Sequence, residues 1–146
     1  MKQFIGHDSN RVGAWICKQF GTTWIPNSGS AFGLEVDGEL IAGVLFEGCN
    51  GASVRMHIAA VEGTTWADRE FLWLMFAYPF LQLRVKRIIG LIDSTNMKSR
   101  AWAVRIGAKH EATLADCSPT GDLCLYTLAA ADCSWLHRKP RKFNYL

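Results

Sequence analysis

Residues 87–114 read RIIGLIDSTNMKSRAWAVRIGAKHEATL, and this stretch decides the fold class. Its apolar beginning predicts a buried strand that ends at Ile92, and a polar turn follows. Asn96 stands where a helix needs an N-cap, and Gly107 stands where a helix needs a left-handed residue after its last turn. A second strand is predicted to begin near His110. The stretch therefore predicts a strand, a short capped helix and a returning strand.

Two turn signals upstream predict an antiparallel meander of three strands. Asp37–Gly38 joins the strand Phe32–Val36 to the strand Glu39–Phe46. This dipeptide suits a type I′ turn because both of its residues tolerate positive φ. Asn50–Gly51 then leads into the third strand, Ser53–Val61. The meander therefore supplies the first three predicted strands of a sheet.

Two further helices are predicted on either side of this meander. Ser9–Phe20 carries apolar residues at helical spacing, and Gly21 is its predicted stop. Thr65–Phe80 begins with a T-x-x-D capping pattern that is completed by Asp68. This second helix is apolar on nearly every side, which predicts that it is buried, and Pro79 is expected to end it.

The remaining connections define the fold class. The chain crosses over from the third meander strand to the strand Val85–Ile92, so these two strands are expected to be parallel. A closing hairpin is predicted over about 110–116 and 122–129, around the turn Ser118–Gly121. The order is helix, three antiparallel strands, helix, strand, helix and hairpin. This order predicts an α+β fold with a mixed, mostly antiparallel sheet and helices on both faces.

Length and charge predict one folded domain with a basic tail. The chain has 146 residues, of which 49% are apolar and 20% charged, and these values exclude a disordered chain. We place the domain at residues 1–136 and the tail at residues 137–146. Removing the four tail cations from the net charge of +3 leaves −1 for the domain, and these cations are Arg138, Lys139, Arg141 and Lys142. A nucleic-acid-binding domain is therefore not expected, although the tail is either solvated or in contact with a nucleic acid or an acidic partner.

Cysteine and histidine usage predicts a reducing compartment and no metal. The five cysteines are odd in number and form no CxxC pair, which argues against a disulfide framework and a zinc ribbon. We expect no signal peptide and no membrane segment, a cytoplasmic location, and free, mostly buried thiols. Metal binding is not expected, since no cysteine or carboxylate cluster accompanies His7, His110 and His137.

The element order and the helix between Asn96 and Gly107 resemble the Gcn5-related N-acetyltransferase (GNAT) superfamily over about residues 30–130. The segments FAYPFLQLRVKRIIG (76–90) and LYTLAAADCSWL (125–136) are similar to small GNAT proteins that bacteriophages often encode. The resemblance implies transfer of an acetyl or acyl group from acyl-coenzyme A (CoA) to an amine of a small molecule or protein. It also implies that both substrates are bound together during direct transfer.

The resemblance also implies where the cofactor binds. GNAT enzymes usually carry an R/Q-x-x-G-x-G/A loop after the fourth strand, which binds the CoA pyrophosphate through backbone N–H groups and a helix N-terminus. This chain has one glycine in the corresponding segment, Val61–Trp66. Asp68 would repel a phosphate there, and Arg69 would offset that repulsion. The candidate cofactor-binding residues are Ile58, Ala59, Ala60, Glu62, Gly63, Thr64, Thr65, Arg69, Asn96 and Ser99.

Acetyl transfer to an amine also needs a base. Side chains alternate along the third meander strand, which places Arg55, His57 and Ala59 on one face. His57 is the first candidate for the base because imidazole titrates near neutral pH. Glu35, on the first meander strand, is the second candidate. For each residue the alternative is a purely structural place on the sheet surface.

The proton donor for the departing thiolate is left open. Ala103 stands where GNAT enzymes often have a tyrosine, and the position of Tyr126 on the last strand favours a structural role. Water is an alternative donor, since a thiol with a pKa of about 8.5 leaves without strong acid assistance. Three tryptophans either line an acceptor cleft or belong to the core, namely Trp24, Trp66 and Trp102.

The whole hypothesis depends on two strands, Ser53–Val61 and Val85–Ile92, diverging to leave a slot for a thioester arm. The alternative function is a catalytically degenerate GNAT-fold protein that acts through a protein or nucleic-acid partner. The single glycine of the phosphate loop, the alanine at position 103 and the basic tail favour this alternative. A homodimer that pairs through an exposed edge strand is a further expectation.

Overall fold

The computed structural model describes residues 1–141. Lys142, which the sequence assigns to the basic tail, lies outside the described residues. The helices and strands, in chain order, are β1 (Lys2–Ile5), α1 (Ser9–Gln19), β2 (Ser30–Val36), β3 (Glu39–Glu47), β4 (Ser53–Ala60), α2 (Arg69–Ala77), β5 (Arg87–Asp93), α3 (Met97–Arg105), β6 (Lys109–Ser118) and β7 (Gly121–Ala129).

The strands form one sheet in the order β1-β2-β3-β4-β5-β7-β6. The pair β4–β5 is parallel and the other neighbouring pairs are antiparallel. Helix α1 packs on β2 and β3 on one face, and α2 and α3 pack on the other. The predicted α+β class, with a mixed sheet covered on both faces, is confirmed. The two edges of the sheet are β1 and β6.

Strand β1 is an element that the predicted order lacks. Its four residues, Lys2–Ile5, pair antiparallel with β2, and Gln3 lies opposite Glu35. A four-residue strand with only Phe4 and Ile5 apolar has too short a pattern to be identified from sequence. The order therefore begins with a strand, not with a helix.

The predicted start of α2 is wrong. The helix begins at Arg69, because the carboxylate of Asp68 is itself the N-cap and accepts from the backbone N–H groups of Glu70 (2.9 Å) and Phe71 (3.2 Å). Thr65 lies outside the helix, so the capping box predicted from Thr65 to Asp68 does not form. The last α-helical residue is Ala77, and Pro79 lies two residues later in a π-helical turn, Tyr78–Gln82. The α-helix does not continue through Pro79 because a proline has no N–H for the α-helical hydrogen bond.

Both predicted ends of α3 are confirmed. The side chain of Asn96 accepts from the backbone N–H of Ser99 at 3.1 Å. At the other end Gly107 has φ +103°, and the N–H of Ala108 reaches the carbonyl of Ala103 at 3.0 Å. This is a Schellman motif, and it turns the chain directly into β6.

The position of α1 is fixed by a close approach to the sheet. A Cβ atom at Gly43 would lie 2.9 Å from the side chain of Ile16, so only glycine admits the helix at this distance. Val12 and Ile16, on the face of α1 that packs on the sheet, are fully buried. The C-cap of the helix is Phe20, which lies beside β4 in contact with His57.

The described part of the tail packs on α2. The indole N–H of Trp73 donates to the carbonyl of Leu136 at 3.2 Å, and Lys139 Nζ lies 5.8 Å from the centre of the Trp73 ring. Pro140 is buried. The boundary placed at residue 136 stays a prediction, but residues 137–140 pack against the domain.

All five cysteines are free, and only two of them are buried, so the prediction of mostly buried thiols is wrong. Burial raises the pKa of the Cys133 thiol. Within residues 1–141 every helix is too short or too polar to traverse a bilayer.

Helix α1 also ends in a Schellman motif, in which the N–H of Thr22 donates to the carbonyl of Cys17 at 2.9 Å, and the two motifs give a matched test of how the chain leaves α3. Gly107→Ala should destabilise the protein by at least about 2 kcal/mol, because positive φ is combined with a Cβ position only 1.8 Å from the carbonyl oxygen of Asp132. Gly21 closes α1 with φ +71° and open space around its Cβ position. Gly21→Ala should therefore cost only the conformational part, about 1 kcal/mol.

The measurement is urea unfolding of both variants beside the wild type. Equal losses of unfolding free energy in the two variants would contradict the packing argument.

Candidate active site

The predicted divergence of two neighbouring strands is confirmed. The parallel ladder between β4 and β5 holds three residue pairs and ends at Arg55 opposite Ile89. Beyond this pair β4 continues to Ala60 and β5 continues to Asp93. The separating strands border a cavity of about 300 Å³, which we call the slot. A cavity of this size lies at the lower end of the range for small-molecule sites.

The slot has two sides, because side chains alternate along both strands. Val54 and Ile88 face the α2 side, since both belong to the core beneath that helix. The even-numbered lining residues of β4 and β5 therefore lie on the side of α2 and α3. The odd-numbered ones lie on the side of α1, where Phe20 and His57 also line the slot.

The α2–α3 side is the more extensive one. Asn96 and Ser99 line it at the beginning of α3, and Trp102 and Ala103 line it further along the helix. Trp102 stacks on Phe76 with 6.3 Å between ring centres. This side is therefore a mainly apolar channel with polar groups where α3 begins.

Backbone N–H groups of β4 point into the slot. The N–H of Val61 donates to the carbonyl of Ile41 at 2.8 Å, so odd-numbered residues of β4 direct their N–H groups toward β3. The even-numbered residues Ile58 and Ala60 therefore direct theirs toward β5, past the end of the parallel ladder. Of the three candidate cofactor-binding residues in this segment, Ile58, Ala59 and Ala60, Ala59 is the one whose N–H faces β3.

A carboxylate and an imidazole pair on the α1 side. His57 Nε2 lies 2.8 Å from Glu47 Oε1, and both side chains are half-buried. Arg55 Nη2 lies 3.7 Å from the same oxygen. Glu47 is not among the residues predicted from the sequence, although the hairpin register places it. Glu47 lies opposite Arg55 across the Asn50–Gly51 turn, which puts His57 diagonally next to it.

A second polar pair lies on the α3 side. The hydroxyl of Tyr126 accepts from Arg100 Nε at 3.1 Å, and Arg100 Nη1 donates to the carbonyl of Ser94 at 3.0 Å. The hydrogen bond to Tyr126 raises the pKa of the Arg100 guanidinium. Tyr126 is buried, lines the slot and packs in one cluster with Ala103. The phenol ring of Tyr126, on β7, thus lies beside Ala103 of α3, whose side chain is only a methyl group.

Asp93 lines the slot at the last residue of β5. Its carboxylate accepts from the hydroxyls of Ser118, Thr120 and Thr95 and from the backbone N–H of Thr95. The hydrogen bonds from Ser118, Thr120 and Thr95 hold the pKa of the Asp93 carboxyl far below its usual value. These bonds join the end of β5 to the turn between β6 and β7.

The other candidate residues lie outside the slot lining. Glu35 is on β2, separated from β4 by β3, and pairs with Arg11 at 3.0 Å. Arg69 Nε donates to the carbonyl of Arg138 at 3.4 Å. Four of the candidates lie in the loop between β4 and α2, namely Glu62, Gly63, Thr64 and Thr65.

The predicted tryptophans divide between slot and core. Trp102 lines the slot, and Trp66 contacts it with 6.1 Å between ring centres. Trp24 lies against Gly13, and a Cβ atom added at Gly13 would be 2.7 Å from the Trp24 ring. The indole N–H of Trp24 donates to the side chain of Asn10 at 3.0 Å. In the part of the chain that the structure describes, no three histidine, cysteine or carboxylate side chains are grouped as metal ligands.

Solved structures share this architecture. The spermidine/spermine N-acetyltransferase SpeG from Vibrio cholerae superimposes with a TM-score of 0.70 at 16% identity, over 96% of each chain. The spermidine N-acetyltransferase from Vibrio cholerae in complex with CoA and spermine gives 0.62 at 19% identity, over 73% of this chain and 68% of that one. N-acetyltransferase PseH from Campylobacter jejuni, in complex with acetyl-CoA, gives 0.56 at 15% identity, over 71% and 70%.

The chain has the GNAT acyl-CoA N-acyltransferase fold. No protein-family model matches the sequence, and no curated protein sequence matches it either. The evidence for the GNAT fold is therefore structural.

One feature of this GNAT fold departs from the pattern that the resemblance implies. The N-terminus of α2, expected to bind pyrophosphate, is capped by the carboxylate of Asp68. Lys2 Nζ lies 3.7 Å from that carboxylate, and it also donates to the carbonyl of Thr65 at 3.1 Å. A phosphate at this helix end would therefore compete with a negative side chain.

The Asp93 hydrogen bonds predict a pH-dependent contribution to stability. Because the folded-state pKa lies below the unfolded value of about 3.9, the stabilisation is complete above that value and is lost as pH falls through the folded-state pKa. The difference in melting temperature between wild type and Asp93→Asn should therefore be largest near neutral pH and shrink below about pH 4.

Thermal melts followed by circular dichroism across this range measure the difference. Glu39→Gln, at an exposed carboxylate on the first residue of β3, is the control and should show a smaller, flatter difference. A difference for Asp93→Asn that does not change with pH would contradict the assignment.

Proposed function

We propose that this protein is an acetyl-CoA-dependent N-acetyltransferase that acts on an amine acceptor by direct transfer in a ternary complex. The observation that carries the proposal is the end of the β4–β5 ladder after three residue pairs, where a slot opens between the strands. The structural neighbours give support, since PseH was solved with acetyl-CoA and a Vibrio cholerae spermidine N-acetyltransferase with CoA and spermine.

The α2–α3 side of the slot suits the acyl donor. Its apolar channel fits a pantetheine arm, and Asn96 and Ser99 offer hydrogen-bonding groups where that channel opens. The backbone N–H of Ile58, directed into the slot, is the donor that we assign to the carbonyl oxygen of the thioester. A fixed donor of this kind stabilises the oxyanion that develops during attack.

This chain lacks the glycine-rich loop that usually binds the CoA phosphates, so other groups are needed to bind them. We expect Gly63, Thr64 and Thr65 to offer backbone N–H groups and hydroxyls, with Arg69 as the nearby cation. Glu62 and Asp68 add negative charge to the same region. The proposal therefore includes weaker phosphate binding than a glycine-rich loop would give.

The α1 side of the slot suits the acceptor amine. His57 is the base that removes a proton from the acceptor ammonium, and Glu47, at 2.8 Å, stabilises the imidazolium that results. Glu35 stays a prediction for this role, but its pairing with Arg11 outside the slot lining gives it no support.

A proton donor for the departing thiolate is supported by the position of Tyr126. The phenol lines the slot and accepts a hydrogen bond from Arg100, which leaves its own proton for a group in the slot. We therefore assign Tyr126 as the acid, with water as the alternative.

Cofactor binding has a direct test at Gly90. Acetyl-CoA at about 1 mM should raise the melting temperature of the wild type by several degrees, because it binds the native state alone. A Cβ at Gly90 would meet no atom within 4 Å, and Gly90 lines the slot on the α3 side. Gly90→Val should therefore fold normally, since valine suits a strand, but should lose the rise with acetyl-CoA.

Gly90→Ala is the matched control and should retain the rise, since a single methyl group leaves most of the slot open. An unchanged response in Gly90→Val would show that the donor does not enter between the strands.

The acid–base assignment is tested by steady-state kinetics. His57→Ala and Tyr126→Phe should each lower kcat by about 10²-fold or more, while the rise in melting temperature with acetyl-CoA is retained. The measurement is CoA release in the presence of an accepted amine.

Two variants serve as controls for these kinetics. Glu35→Gln removes the other candidate base, and Tyr78→Phe removes a phenol whose hydroxyl donates to Ser30 at 3.0 Å away from the slot lining. Both should turn over normally. Wild-type turnover in His57→Ala or Tyr126→Phe would remove that residue from the mechanism.

The second candidate function is a degenerate binding protein on the same fold. It is favoured by one observation, the Asp68 carboxylate at the helix end where phosphate binding is expected. No change in melting temperature of the wild type at millimolar acetyl-CoA would favour it over the enzyme.

Several finer expectations accompany the proposal. We place the reaction in the cytoplasm, a reducing compartment that suits five free cysteines. A protein acceptor, a homodimer formed through an edge strand, and nucleic-acid contact by the tail stay predictions. The likeness to small phage-encoded GNAT proteins is also a prediction.

A further inference from the structure

The acceptor mouth of the slot is apolar next to the candidate base. Phe20, the C-cap of α1, is 53% exposed, and its ring makes an edge contact with His57 at 6.4 Å between ring centres. Leu91 and Thr127 line the same side of the slot. An exposed aromatic ring beside a titratable group gives an incoming molecule an apolar surface at the reacting centre.

The apolar surface continues away from the slot along β5 and β7. Leu91 lies opposite Leu125 in the antiparallel register, and Asp93 lies opposite Leu123. These leucines face away from α3, because the alternate residues Cys124 and Tyr126 are buried beneath that helix. All three leucines are half-buried, and we call Leu91, Leu123 and Leu125 the floor.

Three carboxylates around this mouth have hydrogen-bonding or ionic partners within the protein. Glu47 contacts His57 and Arg55. Asp93 accepts from three hydroxyls, and Glu111 accepts from the hydroxyl of Thr127 at 2.8 Å. Arg55 adds a positive charge beside the base. A polycation needs several carboxylates that are free to pair, whereas an amine on a hydrocarbon skeleton needs one base and an apolar surface.

We infer that the acceptor is a primary amine carried on an apolar skeleton, aryl or alkyl, and not a polyamine. This inference rests on the proposed function and names its substrate class. The skeleton lies on the floor and against the Phe20 ring, with its amine at His57. His57 takes one proton from the ammonium, the amine nitrogen forms the new bond to the acetyl carbonyl carbon, and the carbon–sulfur bond breaks. The thiolate receives a proton from Tyr126 or water, and the second proton lost from the nitrogen replaces that proton.

The test compares two acceptors at equal acetyl-CoA. With 2-phenylethylamine the wild type should show a kcat/KM at least about tenfold higher than with spermine. Phe20→Ala should lower kcat/KM for 2-phenylethylamine about tenfold, mainly through KM, and this loss should exceed the loss for spermine. Leu81→Ala, at a leucine with a similar exposure of 58% outside the slot lining, is the matched control and should behave as wild type.

The possible results distinguish a wrong acceptor class from a wrong transferase function. Equal or faster acetylation of spermine overturns the apolar acceptor and leaves the transferase intact. If acetyl-CoA stabilises the protein but neither amine is acetylated, the apolar acceptor is also overturned. A dimer that Leu125→Arg converts to monomers would show a second copy on the floor and would also overturn the inference. No stabilisation by acetyl-CoA removes the transferase and the acceptor class together.

Discussion

The site depends on one interruption, the end of hydrogen bonding between β4 and β5 after Arg55 and Ile89. Unpaired backbone groups inside a sheet are costly unless water or a ligand satisfies them. The sheet tolerates the interruption because each strand keeps a complete antiparallel partner on its other side, β3 for β4 and β7 for β5. The same interruption leaves the N–H groups of Ile58 and Ala60 facing the slot. The interruption that costs the sheet hydrogen bonds therefore also provides the N–H group that we propose as the oxyanion donor.

The alternation of side chains then divides the chemistry between the two faces. Even-numbered residues of β4 and β5 form the wall beneath α2 and α3, and Tyr126 lies there with Arg100. Odd-numbered residues place His57 on the opposite side with Glu47. In the proposed reaction, donor and acceptor therefore approach from opposite faces and meet where the strands part. Neither strand requires an unusual backbone conformation to achieve this.

The least conventional region is the beginning of α2. Asp68 supplies the negative charge that stabilises the helix N-terminus, so the protein gains a cap where a phosphate would otherwise bind. Lys2 balances part of that charge from β1, an element far away in the sequence. The stability of α2 and the affinity for a phosphate therefore oppose each other at one helix end. Cofactor binding is expected to depend more on the slot than on this loop.

The features that the sequence determined by itself are those encoded within a few residues. The Asp37–Gly38 turn has positive φ at both residues, and Asn96 and Gly107 begin and end α3 as predicted. Such signals are legible because a cap or a tight turn requires a particular residue at a particular backbone geometry. Together with the apolar periodicity they were sufficient for the α+β class and the GNAT resemblance.

Only the tertiary structure decided which side chains meet. Glu47 reaches His57 through the register of a hairpin, and Arg100 reaches Tyr126 across 26 positions of the chain. Glu35, the second candidate for the base, lies on β2 and pairs with Arg11 outside the slot lining. These contacts depend on strand register and on the distance at which helices pack. Register and packing are set by the sum of many weak contacts across the core, which no short stretch of sequence contains.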